Sequence, residues 1–162
     1  MTAPHPRIAL AAQLFGVGDR LIRESLKDLT RDELFQRPGQ GSHMFWIFGH
    51  LTNSRCGLLT MLGRPHEMPC RELFGRGSEL TADAEYPELD VVHETWNKAS
   101  QELQERLEQL TEEGLEARAP RDFPIPDKTI GGAINFLAYH ESYHAGQLGY
   151  LRKWLGRGSV AG

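Results

Sequence analysis

The chain has 162 residues, of which 40% are hydrophobic and 25% are charged, a composition typical of a soluble protein that folds as one domain over residues 1–162. A net charge of −4 offers no basic face, so we expect no nucleic acid and no membrane as partners. No apolar run approaches the roughly 20 residues of a membrane span, and Cys56 and Cys70 form no C-x-x-C motif, so we expect a cytoplasmic protein with reduced thiols.

The first half of the chain predicts two helices. In the first helix, apolar side chains recur at steps of four, three and four residues: Leu10, Leu14, Val17 and Leu21. Leu26 lies beyond them. We expect this face to pack on the core. Thr30-x-x-Glu33 predicts a capping box in the linker that follows. The second helix begins after Ser42, a good N-cap, and runs to about Gly63. Its predicted inward face consists of Ile47, His50, Ser54, Leu58 and Met61.

The second half predicts two more helices after a long connection, residues 63–87. The third helix covers about Leu89 to Leu110. Its predicted core face consists of Val92, Trp96, Ala99, Leu103 and Leu110, with Leu107 beside them. The fourth opens near Thr129 and carries Leu137, His140, His144, Leu148, Leu151 and Leu155 on one face. No comparable alternating segment predicts a strand. The sequence therefore predicts an all-α four-helix bundle, with the long connection between helices 2 and 3 crossing the bundle or covering a site.

Three of the seven histidines lie on predicted inward faces. The spacing of four places His140 and His144 on one side of a helix, within reach of one metal ion. The alternative is a pair of core histidines satisfied by hydrogen bonds, but four buried ring nitrogens would then need partners. His50 occupies an inward position on helix 2, so we expect it to share the metal. The others are expected to be solvated: His5, His43, His66 and His93.

The letters H-E-x-x-H at residues 140–144 also match the metalloprotease signature. That mechanism usually takes a third ligand from downstream, and residues 145–162 contain no Asp, Glu or His. A metalloprotease is therefore disfavoured. Glu141 lies about 100° around the helix from His140 and is a candidate catalytic base, with a solvated glutamate or a tether to a neighbouring loop as alternatives.

Two segments, "SHMFWIFGHLTNSR" and "HESYHAGQL", resemble the DinB/YfiT-like superfamily of metalloenzymes. The similarity extends over nearly the whole chain through the Trp46-to-His50 spacing, "LFGRGS", "YP" before helix 3, and a His-x-x-x-His-x-Gly-Gln pattern. The resemblance implies an up-down-down-up bundle, often a homodimer, with a divalent metal bound by His50, His140 and His144. Gly146 and Gln147 match the same pattern. Gly146 is expected to allow close helix packing. Gln147 either orients a metal-binding histidine through a hydrogen bond or forms a simple hydrogen bond between helices.

Three histidine ligands leave an open position on a divalent ion, as in catalytic sites. Such an ion can lower the pKa of a bound water to about 7 or stabilise a thiolate. We therefore expect a hydrolase or a low-molecular-weight thiol transferase acting on a small-molecule substrate, with one zinc or nickel ion per chain. One alternative is a metal-binding module without turnover, whose site is sealed by apolar side chains. The other is a structural dimeric bundle that binds no metal.

Overall fold

The computed structural model describes residues 3–75, 77–78 and 85–160. In these residues the regular elements are α1 (Ala9–Leu26), α2 (Arg31–Phe35), α3 (Met44–Met61), α4 (Leu89–Glu108), α5 (Glu112–Glu116) and α6 (Ile130–Trp154). Two 3-10 helices, Pro6–Ile8 and Arg71–Phe74, precede α1 and lie between α3 and α4. The same residues contain no strand, and Arg118 and Thr129 form an isolated antiparallel bridge. None of the described helices is long and apolar enough to cross a membrane.

Helix α3 packs against two of the other three long helices. This helix contacts both α4 and α6, while α1 lies mainly along α6. Because α3 has neighbours on several sides, it is buried around most of its circumference, unlike an amphipathic surface helix. Its fully or almost fully buried residues are Met44, Phe45, Ile47, Phe48, Gly49, Leu51, Thr52, Arg55, Cys56, Leu58 and Leu59. The predicted all-helical fold is confirmed, and side chains of α3 meet those of two neighbouring helices.

The predicted core face of α4 is confirmed except at Leu110, whereas that of α1 is wrong. The buried residues of α4 are Val92, Trp96, Ala99, Leu103 and Leu107. Because α4 ends at Glu108, Leu110 lies beyond the helix and is only partly buried. In α1, by contrast, Leu10 is 68% exposed and Val17 43% exposed. The buried face of α1 lies about 100° further round the helix and consists of Ala11, Phe15, Gly18, Ile22, Ser25 and Leu26. Small residues on this face let α1 approach α6: a Cβ at Gly18 would lie 2.5 Å from Glu141 Oε1.

His43 differs from the sequence-based prediction in two respects, its role as the N-cap of α3 and its burial. The N-cap is His43 rather than Ser42, because the His43 Nδ1 accepts the Trp46 backbone N–H at 3.0 Å. His43 is only 6% exposed, so the expectation of a solvated ring is also wrong. Its ring packs against Phe35 and Tyr86. Burial lowers the pKa of His43 to about 4, which keeps the ring neutral and able to accept the capping hydrogen bond. The capping box predicted at Thr30 and Glu33 is confirmed at the start of α2.

Candidate metal centre

Helices α3 and α6 bring His50, His140 and His144 together. The Nε2 atom of His140 lies 3.1 Å from that of His50 and 3.2 Å from that of His144. The three ring nitrogens that could bind a metal all lie within 4.8 Å of one another. His140 and His144 are on the same side of α6 because they are four residues apart, whereas His50 is 90 residues away in sequence from His140. Each of the three side chains is partly buried.

The hydrogen bonds of the outer ring nitrogens determine what the inner ones can do. The His50 Nδ1 donates to the Phe74 carbonyl oxygen at 2.8 Å. The His144 Nδ1 lies 2.6 Å from Gln147 Oε1 and donates to it. In a neutral imidazole with a protonated Nδ1, the Nε2 carries a lone pair. Both His50 and His144 therefore direct lone pairs toward His140, whose own buried Nδ1 has no hydrogen-bond partner in the described part of the chain.

The electrostatic surroundings favour neutral rings. Burial is the main cause of a lowered pKa at all three histidines. The pKa of His140 falls to about 4, and the other two rings and the positive charge of Arg121 contribute to that decrease. Metal binding requires deprotonated imidazole nitrogens. The three rings are thus in their ligand-competent form at neutral pH.

The spacing of the three rings fits a shared divalent ion. Two imidazole nitrogens bound at 2.0–2.1 Å in tetrahedral geometry lie about 3.3 Å apart, close to the two separations measured around His140. Hydrogen bonds among the rings are a poorer solution, because a proton on His140 Nε2 can satisfy only one of its two neighbours' lone pairs. A set of three imidazoles suits zinc, nickel, copper or iron.

A family comparison matches most of the chain, including the segments that carry the histidines. The model of the DinB superfamily matches residues 17–148, a range that includes all three histidines. The chain belongs to the DinB superfamily. A comparison with curated proteins found no match. The resemblance noted in the sequence is thereby confirmed at the level of the superfamily.

In this DinB-superfamily chain, the 3-10 helix Arg71–Phe74 supports the ring of His50. Gly49 leaves room for the ring of Phe74, since a Cβ at position 49 would collide with it. Phe74 is completely buried and directs its carbonyl oxygen to His50. Trp46 stacks on His50 with ring centroids 4.9 Å apart, and its Nε1 donates to the Leu73 carbonyl. Trp46 and "LFGRGS" were visible in the sequence as motifs, but the roles of Gly49 and Phe74 were not.

Glu141 belongs to a different contact network from the histidines. It is 3% exposed, so the solvated alternative is wrong. Both its carboxylate oxygens accept hydrogen bonds from Arg55, on α3, at 2.7 and 2.6 Å. Its partner is therefore a helix and not the loop that a tether would require. Arg55 was not predicted as part of a site, although a charged residue within an otherwise uncharged helix was a visible signal.

The environment of Arg55 explains how a charge is accommodated in the core. Its guanidinium also donates to the Phe15 carbonyl oxygen at 3.0 Å and to Ser100 Oγ at 2.5 Å. The same group lies over the ring of Trp96, 3.8 Å from the centroid. Trp96 is itself fully buried and donates from its indole nitrogen to Asp19. The network links α1, α3, α4 and α6, and it makes Trp96 a core residue, as predicted.

The two remaining predicted site residues differ in their surroundings. The amide of Gln147 contacts His144, one turn earlier on α6, and also donates to the Tyr143 hydroxyl at 3.4 Å. Its observed partners are therefore on its own helix, not on another one. Apart from the neighbouring backbone of α6 itself, no atom of the described residues lies within 4 Å of a Cβ built on Gly146. Close packing of helices within the described chain therefore does not explain this glycine.

Proposed function

We propose that the chain is a metal-dependent enzyme that binds one divalent ion through His50, His140 and His144. The convergence of three Nε2 atoms, two of them with lone pairs aimed at the third ring, carries this proposal. Zinc and nickel are the preferred ions. When bound, such an ion supplies a Lewis acid that favours the deprotonated form of a water or a thiol. The reaction is hydrolysis or the transfer of a low-molecular-weight thiol.

An open groove along α3 and α6, one helical turn from two of the three histidines, supports an enzyme over a sealed metal-binding module. The groove has a volume of about 780 Å³ and is lined in part by His66, Met68 and Arg71, from the connection between α3 and α4. Leu137, one turn before His140, also lines it. A module without turnover would have its metal site closed by apolar side chains. Access for a small molecule one helical turn from His50 and His140 supports the catalytic alternative.

The residues around the ligands have distinct proposed roles. Phe74 and Gln147 hold the outer nitrogens of His50 and His144 and so fix which nitrogen faces the metal. Glu141 as a catalytic base stays a prediction. Its two hydrogen bonds to Arg55 favour a structural role, in which the ion pair sets the position of α6 against α3.

We further propose that the four long helices adopt the up-down-down-up arrangement and that the protein is a homodimer. An exposed stripe on α6 supports the dimer, and its large members are Tyr139, Tyr143, Tyr150 and Trp154. Gly146 lies within this stripe by its helical spacing. A shallow depression joins the stripe to Leu14, Val17 and Leu21 of α1. A second copy of the chain would cover this apolar surface and give Gly146 a close neighbour.

Metal analysis tests the proposed function. Untagged wild-type protein and the variants His50→Ala, His140→Ala and His144→Ala are incubated with zinc or nickel, desalted and analysed by mass spectrometry. We expect about one ion per chain in the wild type and loss in every variant. His66→Ala is the matched control, because His66 pairs with Glu102 at 2.6 Å and is outside the cluster. Equal metal content in wild type and all three variants would overturn the proposal.

Activity assays then distinguish the enzyme from a metal-binding module. Hydrolysis of activated esters and transfer of small thiols to an electrophile are measured with the metal-loaded wild type and with His50→Ala. Turnover that depends on both the metal and His50 is the expected result. Stoichiometric metal without turnover of either substrate type would favour the module.

A further inference from the structure

The groove along α3 and α6 is lined by two arginines. Arg71 comes from the 3-10 helix Arg71–Phe74, and Arg121 from the loop between α5 and α6. Both side chains are exposed. Neither forms an ion pair with any of the described residues. Both guanidinium groups are at the exposed wall of the groove, where a ligand can reach them.

Both arginines are linked by packing to the surroundings of the histidines. Arg71 is three residues before Phe74, whose carbonyl oxygen accepts from His50. Arg121 lies over the ring of Phe123, which packs against Phe136, and Phe136 packs against the ring of His140. Asn53 and Leu137, which also line the groove, are each one helical turn from a proposed metal ligand. A ligand in this groove would thus lie one helical turn from two of the proposed ligands.

The loop that carries Arg121 is well anchored. Backbone hydrogen bonds join Ala119 N–H to the Lys128 carbonyl at 2.9 Å and Ile130 N–H to the Ala117 carbonyl at 2.8 Å. The guanidinium of Arg121 lies over the ring of Phe123, 4.8 Å from its centroid. Because this packing limits the freedom of the side chain, less conformational entropy is lost when it binds a ligand.

The remaining lining is mostly apolar, with a single unpaired acid. Met61, Met68, Phe123 and Leu137 contribute hydrophobic surface. His66 is paired with Glu102, so Glu67 is the main opposing charge. Among the described lining residues, two guanidinium groups outnumber the single carboxylate of Glu67, although the chain as a whole has a net charge of −4. Guanidinium groups bind carboxylates and phosphates through planar pairs of N–H donors.

We propose that this groove is the substrate subsite and that it selects small organic molecules with an apolar body and an anionic group. The anionic group binds Arg71 and Arg121, and the apolar body lies along Met61, Met68 and Phe123. The assignment as a substrate subsite rests on the proposed metal enzyme. Anion binding by the groove does not, and it is measured without metal.

A matched pair of probes tests the subsite: 4-phenylbutanoate and its uncharged amide. Calorimetric titration of metal-free, chelator-treated protein at pH 7 gives both dissociation constants. We expect the acid to bind about tenfold more tightly than the amide, since two largely exposed charge pairs contribute. Arg71→Gln and Arg121→Gln should each weaken binding of the acid about threefold and leave the amide unchanged.

Arg118→Gln is the control for net charge, because Arg118 is exposed, pairs with Asp122 and is not part of the groove lining. Equal binding of acid and amide, binding of neither, or the same loss in Arg118→Gln as in Arg121→Gln would overturn the proposal. Failure of the metal analysis would refute the proposed function and leave this result intact. Normal metal binding without acid selectivity would refute the subsite alone.

Discussion

Arg55 binds both carboxylate oxygens of Glu141, so the residue next to His140 is linked to the core and not to the histidine cluster. Adjacent residues on a helix point about 100° apart. His140 and His144 face α3 at His50, while Glu141 also approaches α1 at Gly18. The segment 140–144 therefore contributes both to the histidine cluster and to the ion pair with Arg55.

Replacing Glu141 with Gln should destabilise the protein without removing the metal. The change leaves the Arg55 charge buried without its counter-ion, and we expect a loss of about 3 kcal/mol in the free energy of unfolding. Urea denaturation measures the loss, and mass spectrometry measures bound metal. Glu94→Gln, which removes an exposed partner of Lys98, is the control and should leave stability nearly unchanged. Unaltered stability of Glu141→Gln, together with lost turnover, would instead support a catalytic base.

Substitution of Gly49 should weaken metal binding through Phe74. A methyl group at Gly49 collides with the Phe74 ring and displaces the carbonyl that orients His50. Loss of such an outer hydrogen bond typically costs about 10–100-fold in metal affinity. Competition with a chromogenic chelator gives the affinity of Gly49→Ala. Gly57→Ala, on the same helix with no atom within 4 Å of the added Cβ, should bind metal normally. Similar affinities for both variants would argue against support from Phe74.

Removing the metal should lower thermal stability. An ion at 100 times its dissociation constant stabilises the folded state by about 2.7 kcal/mol, which corresponds to about 5–10 °C in Tm for a chain of this size. Differential scanning fluorimetry with and without a chelator measures the change. His144→Gln should have the same Tm under both conditions. A chelator effect of equal size in that variant would indicate binding elsewhere.

The buried cap at His43 should make the metal-free protein sensitive to mild acid. Only the unprotonated ring can accept the Trp46 N–H, and the pKa of His43 is about 4 in the folded state compared with 6.5 ordinarily. As the pH falls, the unfolded chain binds this proton first. The stabilisation is complete above pH 6.5 and is lost between pH 6.5 and about 4.

We therefore expect the urea midpoint of chelator-treated wild type to fall between pH 7 and pH 5. His43→Asn keeps a capping oxygen that does not titrate, so its midpoint should fall less. The three partly buried histidines proposed as metal ligands cause the remaining decrease in both proteins, because their pKa values are also lowered. An identical decrease in both proteins would exclude His43 as a source of the pH dependence.

A charge on the exposed face of α1 should dissociate the proposed homodimer. Val17 is 43% exposed and lines the depression between α1 and α6. In the variant Val17→Glu, a second copy of the chain would bury the introduced carboxylate. Light scattering after size exclusion should give twice the chain mass for wild type and the single mass for Val17→Glu. Lys98→Glu, on the exposed face of α4, should remain dimeric. A monomeric wild type would contradict the homodimer.

The sequence by itself determined the helical class and most of the candidate site. Periodic apolar residues located α4 and its core face, and the four-residue spacing of His140 and His144 required that they share one side of α6. Both are local properties of a helix, so one segment is enough to predict them. His50 was predicted because a polar ring stood on an otherwise apolar face, and the structure brings it to within 3.1 Å of His140.

Tertiary structure decided which surface each helix buries and which partner each polar group finds. By composition, the leucine-rich face of α1 was the better candidate for the core. Phe15 and Gly18 are buried instead, because α1 packs against α6 through the face that carries them. The pairing of Glu141 with Arg55 joins residues 86 positions apart. Periodicity fixes the angle of a side chain around its own helix, but only the packing of helices determines what it meets.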